Sequence, residues 1–241
     1  LATSIEFSVV VPVMNEAGNA AKLAREIATA LDGRSYEMVF VDDASRDDTR
    51  AELLGLCKEL PALRVVGHRK HAGQSRAIQT GVLAARAPMV ATLDGDGQND
   101  PADLARLLAR FNRADAPAKL AMIAGAKGGD GPINRAKAGF ANTLRKALLK
   151  DRVDEGSSGI KVFKREAFLR LPYFDNMHRY MPALMLREGY AVEFLEVNHR
   201  NRGAGRSKYT NLGRLAADMT DLLGVMWLKS RARQPGGADE L

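Results

Sequence analysis

The residues best suited to chemistry lie in Asp94-Gly-Asp-Gly-Gln98. Two carboxylates one residue apart repel each other. They are reconciled by sharing a hard divalent cation, Mg2+ or Mn2+, which takes oxygen ligands and keeps places for waters and phosphate oxygens. Gln98 offers a further oxygen. A calcium loop of the helix-loop-helix type is excluded, because that pattern needs glycine where Asn99 stands and glutamate where Ala105 stands. A polar turn capped by Asp100 is the plainer alternative. Two more acidic turns, Asn15-Glu16 and Asp42-Asp43, join a basic set, Lys127 and the run His199, Arg200, Arg202, Arg206, Lys208. Acids that hold a metal, opposite lysine and arginine, make a seat for a diphosphate carried as its metal complex. Such a complex is a good leaving group. The glycine fingerprints G-x-G-x-x-G and G-x-x-x-x-G-K-[ST] are both missing, so any nucleotide would be gripped through acids and a metal.

The elements that must position these residues alternate in kind. Residues 7–13, 36–41, 63–67 and 89–93 are short apolar runs that read as buried strands. Between and after them, residues 17–31, a stretch carrying Leu53, Leu54, Cys57 and Leu60, and residues 73–85 and 102–111 read as helices, with Ser45 and Asp47 as caps of the second. This alternation predicts a parallel sheet with right-handed crossovers, its ligands at the carboxyl edge. Glu16, Asp42-Asp43 and Asp94-x-Asp96 all fall at strand ends, hence along that one edge.

Beyond residue 111 the texture changes. Residues 120–125 and 160–163 read as strands, residues 126–133 as a glycine-rich loop, and residues 134–149 as a helix. Residues 154–159 read as a turn. Helices are expected over residues 164–171 and 177–188, and a strand with alternating faces over residues 190–197. Residues 198–208 form a basic, glycine-containing loop. An amphipathic helix over residues 211–228 has Leu212, Leu215, Met219, Leu222, Leu223 and Met226 on its apolar side, with Lys229, Arg231 and Arg233 behind it. That pattern suits a helix lying on an anionic membrane surface, one covering the sheet, or a dimer contact.

Composition bounds the rest. A chain of 241 residues, 46% hydrophobic and 27% charged, buries one substantial core. Its net charge of +7 favours anionic partners without choosing among them. A single cysteine excludes an internal disulfide framework, and four scattered histidines (His68, His71, His178 and His199), read as capping or surface residues, do not make a zinc site. The basic residues lack the interleaved aromatics of a nucleic-acid binder. No signal peptide is recognised at residues 1–7, and no apolar run is long enough to span a bilayer.

The chain resembles glycosyltransferase family two, with the GT-A fold. It is most similar to the polyprenyl-phosphate sugar transferase branch of the dolichyl-phosphate mannose synthase type. The matching pieces are Val10-Val-Pro-Val-Met-Asn-Glu16, Val41-Asp-Asp-Ala-Ser45, Asp94-Gly-Asp-Gly-Gln98, Gly156-Ser-Ser-Gly-Ile-Lys-Val-Phe163 and Arg202-x-x-Gly-x-Ser-Lys208. They follow the family's order over residues 6–230.

The resemblance implies a GT-A-type, Rossmann-like, mostly parallel α/β sheet flanked by helices. Residues 1–210 form the transferase domain, and residues 211–241 a C-terminal amphipathic helix and basic tail packed on the domain or on a membrane. Pro12, Met14, Glu16, Val41 and Asp43 would cradle the nucleoside, with Asp94 beside them. Asp94, Asp96 and Gln98 would hold Mg2+ or Mn2+ on the diphosphate. Lys127, Arg202 and Lys208 would meet the phosphates, Arg135 the acceptor phosphate, and Ser207 would order the basic loop. The acid before the Ile160 strand is taken by Asp154 or Glu155, and its role stays open between base, acceptor orientation and turn cap.

The implied activity is inverting, metal-dependent transfer of a sugar from a UDP- or GDP-linked donor to a polyprenyl phosphate at the cytoplasmic, inner face of the membrane. The alternatives are a nucleotide-sugar binding module with weak or no turnover, and transfer to a non-lipid hydroxyl. A membrane-protein partner and a homo-oligomer stay open.

Overall fold

The structure, a computed structural model, describes residues 5–127, 157–198, 200 and 211–233. Seven strands form one sheet: β1 (Phe7–Val13), β2 (Tyr36–Asp42), β3 (Leu63–Gly67), β4 (Met89–Thr92), β5 (Leu120–Lys127), β6 (Ser157–Lys164) and β7 (Ala191–Val197). Their spatial order is β3-β2-β1-β4-β6-β5-β7. The helices are α1 (Asn19–Ala30), α2 (Thr49–Leu56), α3 (Gln74–Ala84), α4 (Asp103–Phe111), α5 (Arg165–Leu169), α6 (Met181–Arg187) and α7 (Asn211–Ser230).

The period-two pattern of the central strands explains the layers. In β1, Phe7, Val9, Val11 and Val13 face a core shared with α1, α2 and α4, while Val10 faces the opposite core, shared with α3, α5, α6 and α7. A strand buried on both faces needs apolar residues at successive positions. That is why β1, β2 and β4 read as nearly continuous apolar runs, with Ser8 and Glu37 hydrogen-bonded to each other where they interrupt β1 and β2.

The parallel expectation holds for the pairs β1–β2, β1–β4 and β2–β3. It is modified beyond β4, because β6 runs antiparallel to both β4 and β5. One reversed strand carries its amino end, rather than its carboxyl end, to the edge where the acids lie. From β1 the chain grows outward through β2 and β3, then crosses back over α3 to place β4 on β1's other side. The gap between β1 and β4 is therefore the point of topological reversal, where open α/β sheets leave a crevice.

Three expectations are corrected in detail. The 190–197 strand does not alternate: residues 191–195 are all partly buried and only Val197 is fully so, as suits an edge strand paired on one side. The 177–188 helix is two pieces, a 3-10 turn at Met177–Arg179 and α6, because Asn176 takes a left-handed φ of 62° and Pro182 can only open a helix. Ser45 does not cap α2. Its hydroxyl accepts the Asn15 N–H at 2.9 Å, and Asp47 alone serves the helix, accepting Thr49 N–H at 3.1 Å.

Candidate active site

The β1 and β2 turns are stitched together before either meets a ligand. Beyond the Asn15–Ser45 bond, Asn15 Oδ1 accepts Arg46 N–H at 2.8 Å, and Glu16 N–H donates to Thr49 Oγ1 at 2.8 Å. Asn15 and Ala44 both take left-handed φ, 53° and 60°, which lets the two turns face each other. Glu16 remains at the surface of this clasp with Asn19 Nδ2 on its carboxylate. Met14 is half-buried beside it.

Asp42 and Asp43, adjacent in sequence, part company. Asp42 is wholly buried, paired with Arg50 and accepting Ser45 N–H. Asp43 gathers the α3 side: Oδ1 takes His68 Nδ1 at 2.7 Å and Ala72 N–H at 2.8 Å, and Oδ2 takes Gly73 N–H at 2.8 Å and His71 Nδ1 at 2.7 Å. Burial opposes its charge. The hydrogen bonds from His68, Ala72 and Gly73 and the nearby His71 outweigh that, and hold the carboxyl below its ordinary value. Of these donors His71 is the outermost, its side chain 58% exposed.

The Asp94-Gly-Asp-Gly-Gln98 segment leaves β4 at the topological reversal and is pressed against the end of β1. A Cβ on Gly95 would stand 2.8 Å from Pro12 O and 2.7 Å from Val13 Cγ1, so only glycine fits between the strands. Gly97 takes φ +72°, which turns the chain sharply after Asp96. Asp94, Asp96 and Gln98 are all partly exposed. Asp96 Oδ1 accepts Gln98 N–H at 3.1 Å, while Asp94 Oδ1 accepts Gln74 Nε2 at 2.8 Å. The two carboxylates thus sit on a tight turn beside the crevice. Among the described residues no group of three or more His, Cys, Asp or Glu side chains could cage a metal. The donor set on this turn is two carboxylates and an amide oxygen, the composition of an open site for a hard cation that draws its other ligands from phosphate and water.

Behind Asp94 stands the reversed strand. Thr92 pairs with Lys161, and Gly159, two residues nearer the edge, lies against the Asp94 carboxylate. Lys161 is only 6% exposed. Burial lowers its pKa, and the negative charge of Asp94 works in the other direction. His178 lies nearby: its Nδ1 is 2.7 Å from Ser75 Oγ, at the start of α3. Burial, Lys161 and Arg179 push the His178 pKa down to about 3, so its ring is neutral near pH 7. Since Ser75 Oγ accepts the His178 backbone N–H, its own proton is free to point at Nδ1.

On the far side of the acidic turn, β7 delivers the chain toward the basic segment. Asn198 N–H donates to Asp103 Oδ2 at 2.7 Å and Arg200 N–H to Gln98 O at 2.9 Å. The Arg200 guanidinium bridges Glu26 and Asp100. Arg200 is therefore pinned to the acidic turn itself. Lys127 ends β5 on the same edge. Arg135, Asp154, Glu155, Arg202, Ser207 and Lys208 lie outside the described residues.

A profile of Glycosyl transferase family 2 matches residues 8–171. The chain belongs to that family. The matched span runs from β1 through α5 and takes in every acidic turn above. This glycosyltransferase is 28% identical over 238 residues to a dodecaprenyl-phosphate galacturonate synthase of Rhizobium johnstonii, covering 97% of this chain and 70% of that one. It is 28% identical over 231 residues to an undecaprenyl-phosphate 4-deoxy-4-formamido-L-arabinose transferase of Shewanella sediminis, covering 92% and 67%. In fold it is similar to glucosyl-3-phosphoglycerate synthase of Mycobacterium tuberculosis, solved with Mn2+, UDP and phosphoglyceric acid, at TM-score 0.67 and 19% identity over 96% of this chain and 80% of that one. It is also similar to a mannosyltransferase of Pyrobaculum calidifontis, solved with GDP-Man and Mn2+, at TM-score 0.63 and 21% identity over 97% and 66%. The glycosyltransferase thus has the GT-A architecture.

For this family-2 glycosyltransferase, two expected nucleoside contacts change character. Val41 is 0% exposed and packed beneath α3, against Gly81, so its side chain supports the site from below and offers no surface to a ligand. Pro12 is likewise buried in β1. The reading of the histidines as capping or surface residues is corrected for two of them. His68 bridges Asp43 and Thr80, and His178 joins Ser75 to the 3-10 turn. Gln74, Asn99, Gly159 and Lys161 gather about Asp94, and none was given a role from the sequence, although Gly159 and Lys161 fall in the matching piece Gly156–Phe163. A further signal was a lysine in an otherwise apolar run, Ile160-Lys-Val-Phe163.

Proposed function

We propose that this glycosyltransferase moves a sugar from a nucleotide sugar to a polyprenyl phosphate, with inversion at the anomeric carbon. The observation that carries the reading is the Asp94–Asp96 turn at the β1–β4 reversal, with the hydrogen-bonded β1 and β2 turns on one side and Arg200, at the start of the basic run, on the other. The two relatives named for polyprenyl-phosphate transfer support the choice of acceptor.

Glu16, Met14 and Asp43 border the nucleoside position. A base or ribose donor reaches Asp43 by replacing His71, the outermost of its four partners. Asp94, Asp96 and Gln98 hold Mg2+ or Mn2+, which when bound neutralises charge on the departing nucleoside diphosphate. Lys127, Arg202 and Lys208 supply further positive charge for the phosphates, and Arg135 meets the acceptor phosphate, with Ser207 ordering the basic run. The acceptor's phosphate oxygen forms the new bond to the anomeric carbon as the bond to the diphosphate oxygen breaks. A phosphate monoester is already ionised near neutral pH, so this acceptor needs no general base. Asp154 or Glu155 then orients the acceptor.

The protein works at the inner face of the membrane, held there peripherally. Among the described residues no helix is long and apolar enough to cross a membrane. Instead α7 has two apolar sides: Leu222 and Val225 are buried against the domain, while Met219, Leu223 and Trp227 are exposed at 43%, 58% and 60%. Spaced four residues apart, these three form one outward stripe, followed by Lys229, Arg231 and Arg233. An apolar stripe beside basic residues suits the boundary of an anionic lipid layer.

The deciding experiment compares melting shifts for UDP- and GDP-linked sugars with and without Mn2+, then transfer to a polyprenyl phosphate against the matching polyprenol. Metal-dependent stabilisation and transfer to the phosphate alone are expected. No shift with any donor would refute the donor seat, and equal transfer to the alcohol would refute the acceptor.

A further inference from the structure

Lys161 is a buried lysine for which the reaction above has no use. It stands in β6 with its neighbours Ile160, Val162 and Phe163 in the two apolar cores. Taking an ammonium out of water is costly, and an apolar side chain of similar length would fill the same space without that cost. The charge is therefore held for something nearby. Alternation along β6 puts Lys161 on the same face as Gly159, and the Cβ direction of Gly159 runs into the Asp94 carboxylate. Asp94 is the acid whose charge acts on Lys161, and among the described residues Lys161 and Arg179 both act on the neutral His178 ring.

We infer that Lys161 is a positioning residue that offsets half the charge of the Asp94–Asp96 pair, so that the turn holds a divalent cation weakly alone and firmly only when a diphosphate arrives with it. The inference rests on the proposed reading of Asp94 and Asp96 as metal ligands. Two carboxylates less one ammonium leave a single formal negative charge, which a free divalent cation overcompensates. A diphosphate supplies the missing negative charge. Among the described residues no third acid joins Asp94 and Asp96 in a metal-holding group. Gln74 Nε2 on Asp94 Oδ1 and Asn99 Oδ1 on Asp94 N–H, at 2.8 Å and 3.2 Å, keep the carboxylate aimed while Lys161 sets its net charge.

The test measures Mn2+ binding directly, by loss of the free-ion electron paramagnetic resonance signal, without nucleotide and with UDP or GDP. Variants are Lys161→Met, Lys161→Gln and Lys161→Arg, each checked by its melting curve, so that one failure to fold leaves the others to report. Lys161→Met and Lys161→Gln are expected to bind Mn2+ alone about tenfold more tightly than the unaltered protein, because removing a nearby positive charge favours a second one. Lys161→Arg keeps the charge at any working pH and is expected to match the unaltered protein. Nucleotide should strengthen Mn2+ binding most in the proteins that carry the charge. Unchanged or weaker Mn2+ binding in both neutral variants overturns the role of Lys161 while leaving the metal seat intact. No Mn2+ binding by the unaltered protein, even with both nucleotides, overturns the seat and this inference together.

Discussion

Gly159 lies against Asp94 so closely that a Cβ placed on it would stand 2.0 Å from Asp94 Oδ2 and 2.8 Å from Asn99 Oδ1. The floor of the acidic turn is thus the bare backbone of the single reversed strand.

Gly159→Ala should therefore push the Asp94 carboxylate out of line while leaving the sheet paired. Misplacing a ligand by about 1 Å costs transfer roughly a hundredfold. Steady-state transfer at increasing Mn2+ checks this, and full activity at ordinary Mn2+ would show that Asp94 does not need this seat.

Asp96→Asn removes one charge from the turn with almost no change of shape. Losing one preorganised charge-stabilising group costs about 3–4 kcal/mol, or a few hundredfold in rate. Transfer should fall by that much with the melting curve intact. A variant that retains a third of its turnover would move the chemistry elsewhere.

Asp43→Asn tests the stitching of the nucleoside side. Asparagine cannot accept all four donors, and stranding a buried donor costs about 1–3 kcal/mol. The carboxyl of Asp43 is held below its ordinary 3.8, so its contribution is present above that pH and is lost as pH falls through the depressed value. Urea melts should show lower stability for Asp43→Asn at pH 7 and convergence with the unaltered protein in strong acid. His71→Ala should leave stability nearly unchanged, since its side chain is mostly exposed.

His178 gives a pH dependence with the opposite origin. Its pKa is pushed from 6.5 down to about 3, so below pH 6.5 the unfolded chain takes up a proton that the folded one refuses. Stability should fall by up to one proton's worth per pH unit between about pH 6.5 and about pH 3. His178→Gln should flatten that slope, which chemical denaturation at several pH values will reveal.

The outward stripe of α7 predicts vesicle binding. Leu223→Glu with Trp227→Glu should abolish co-sedimentation with anionic vesicles and spare the nucleotide-dependent melting shift, because both side chains face outward. Undiminished sedimentation would assign the stripe to another role.

Much of the site was legible because strand ends in an alternating β/α chain must share one edge. The apolar runs of β1, β2 and β4 are long enough to identify, and the polar residues that follow each one necessarily meet. The His68–Asp43 bond was not legible, for its partners lie 25 residues apart and neither sits in a periodic pattern. Nor was the choice of face for Val41, which packs against Gly81 of α3.

Sequence alone determined the acidic turn, the layered sheet and the family, since each depends on short-range spacing and on runs that must be buried. The reversal of β6 required the tertiary structure. Strand direction is set by pairing between distant segments, and that reversal alone places Gly159 and Lys161 behind Asp94. Likewise, hydropathy showed α7 to be amphipathic, but only packing against the domain divided its apolar residues into Leu222 and Val225 within and Met219, Leu223 and Trp227 without.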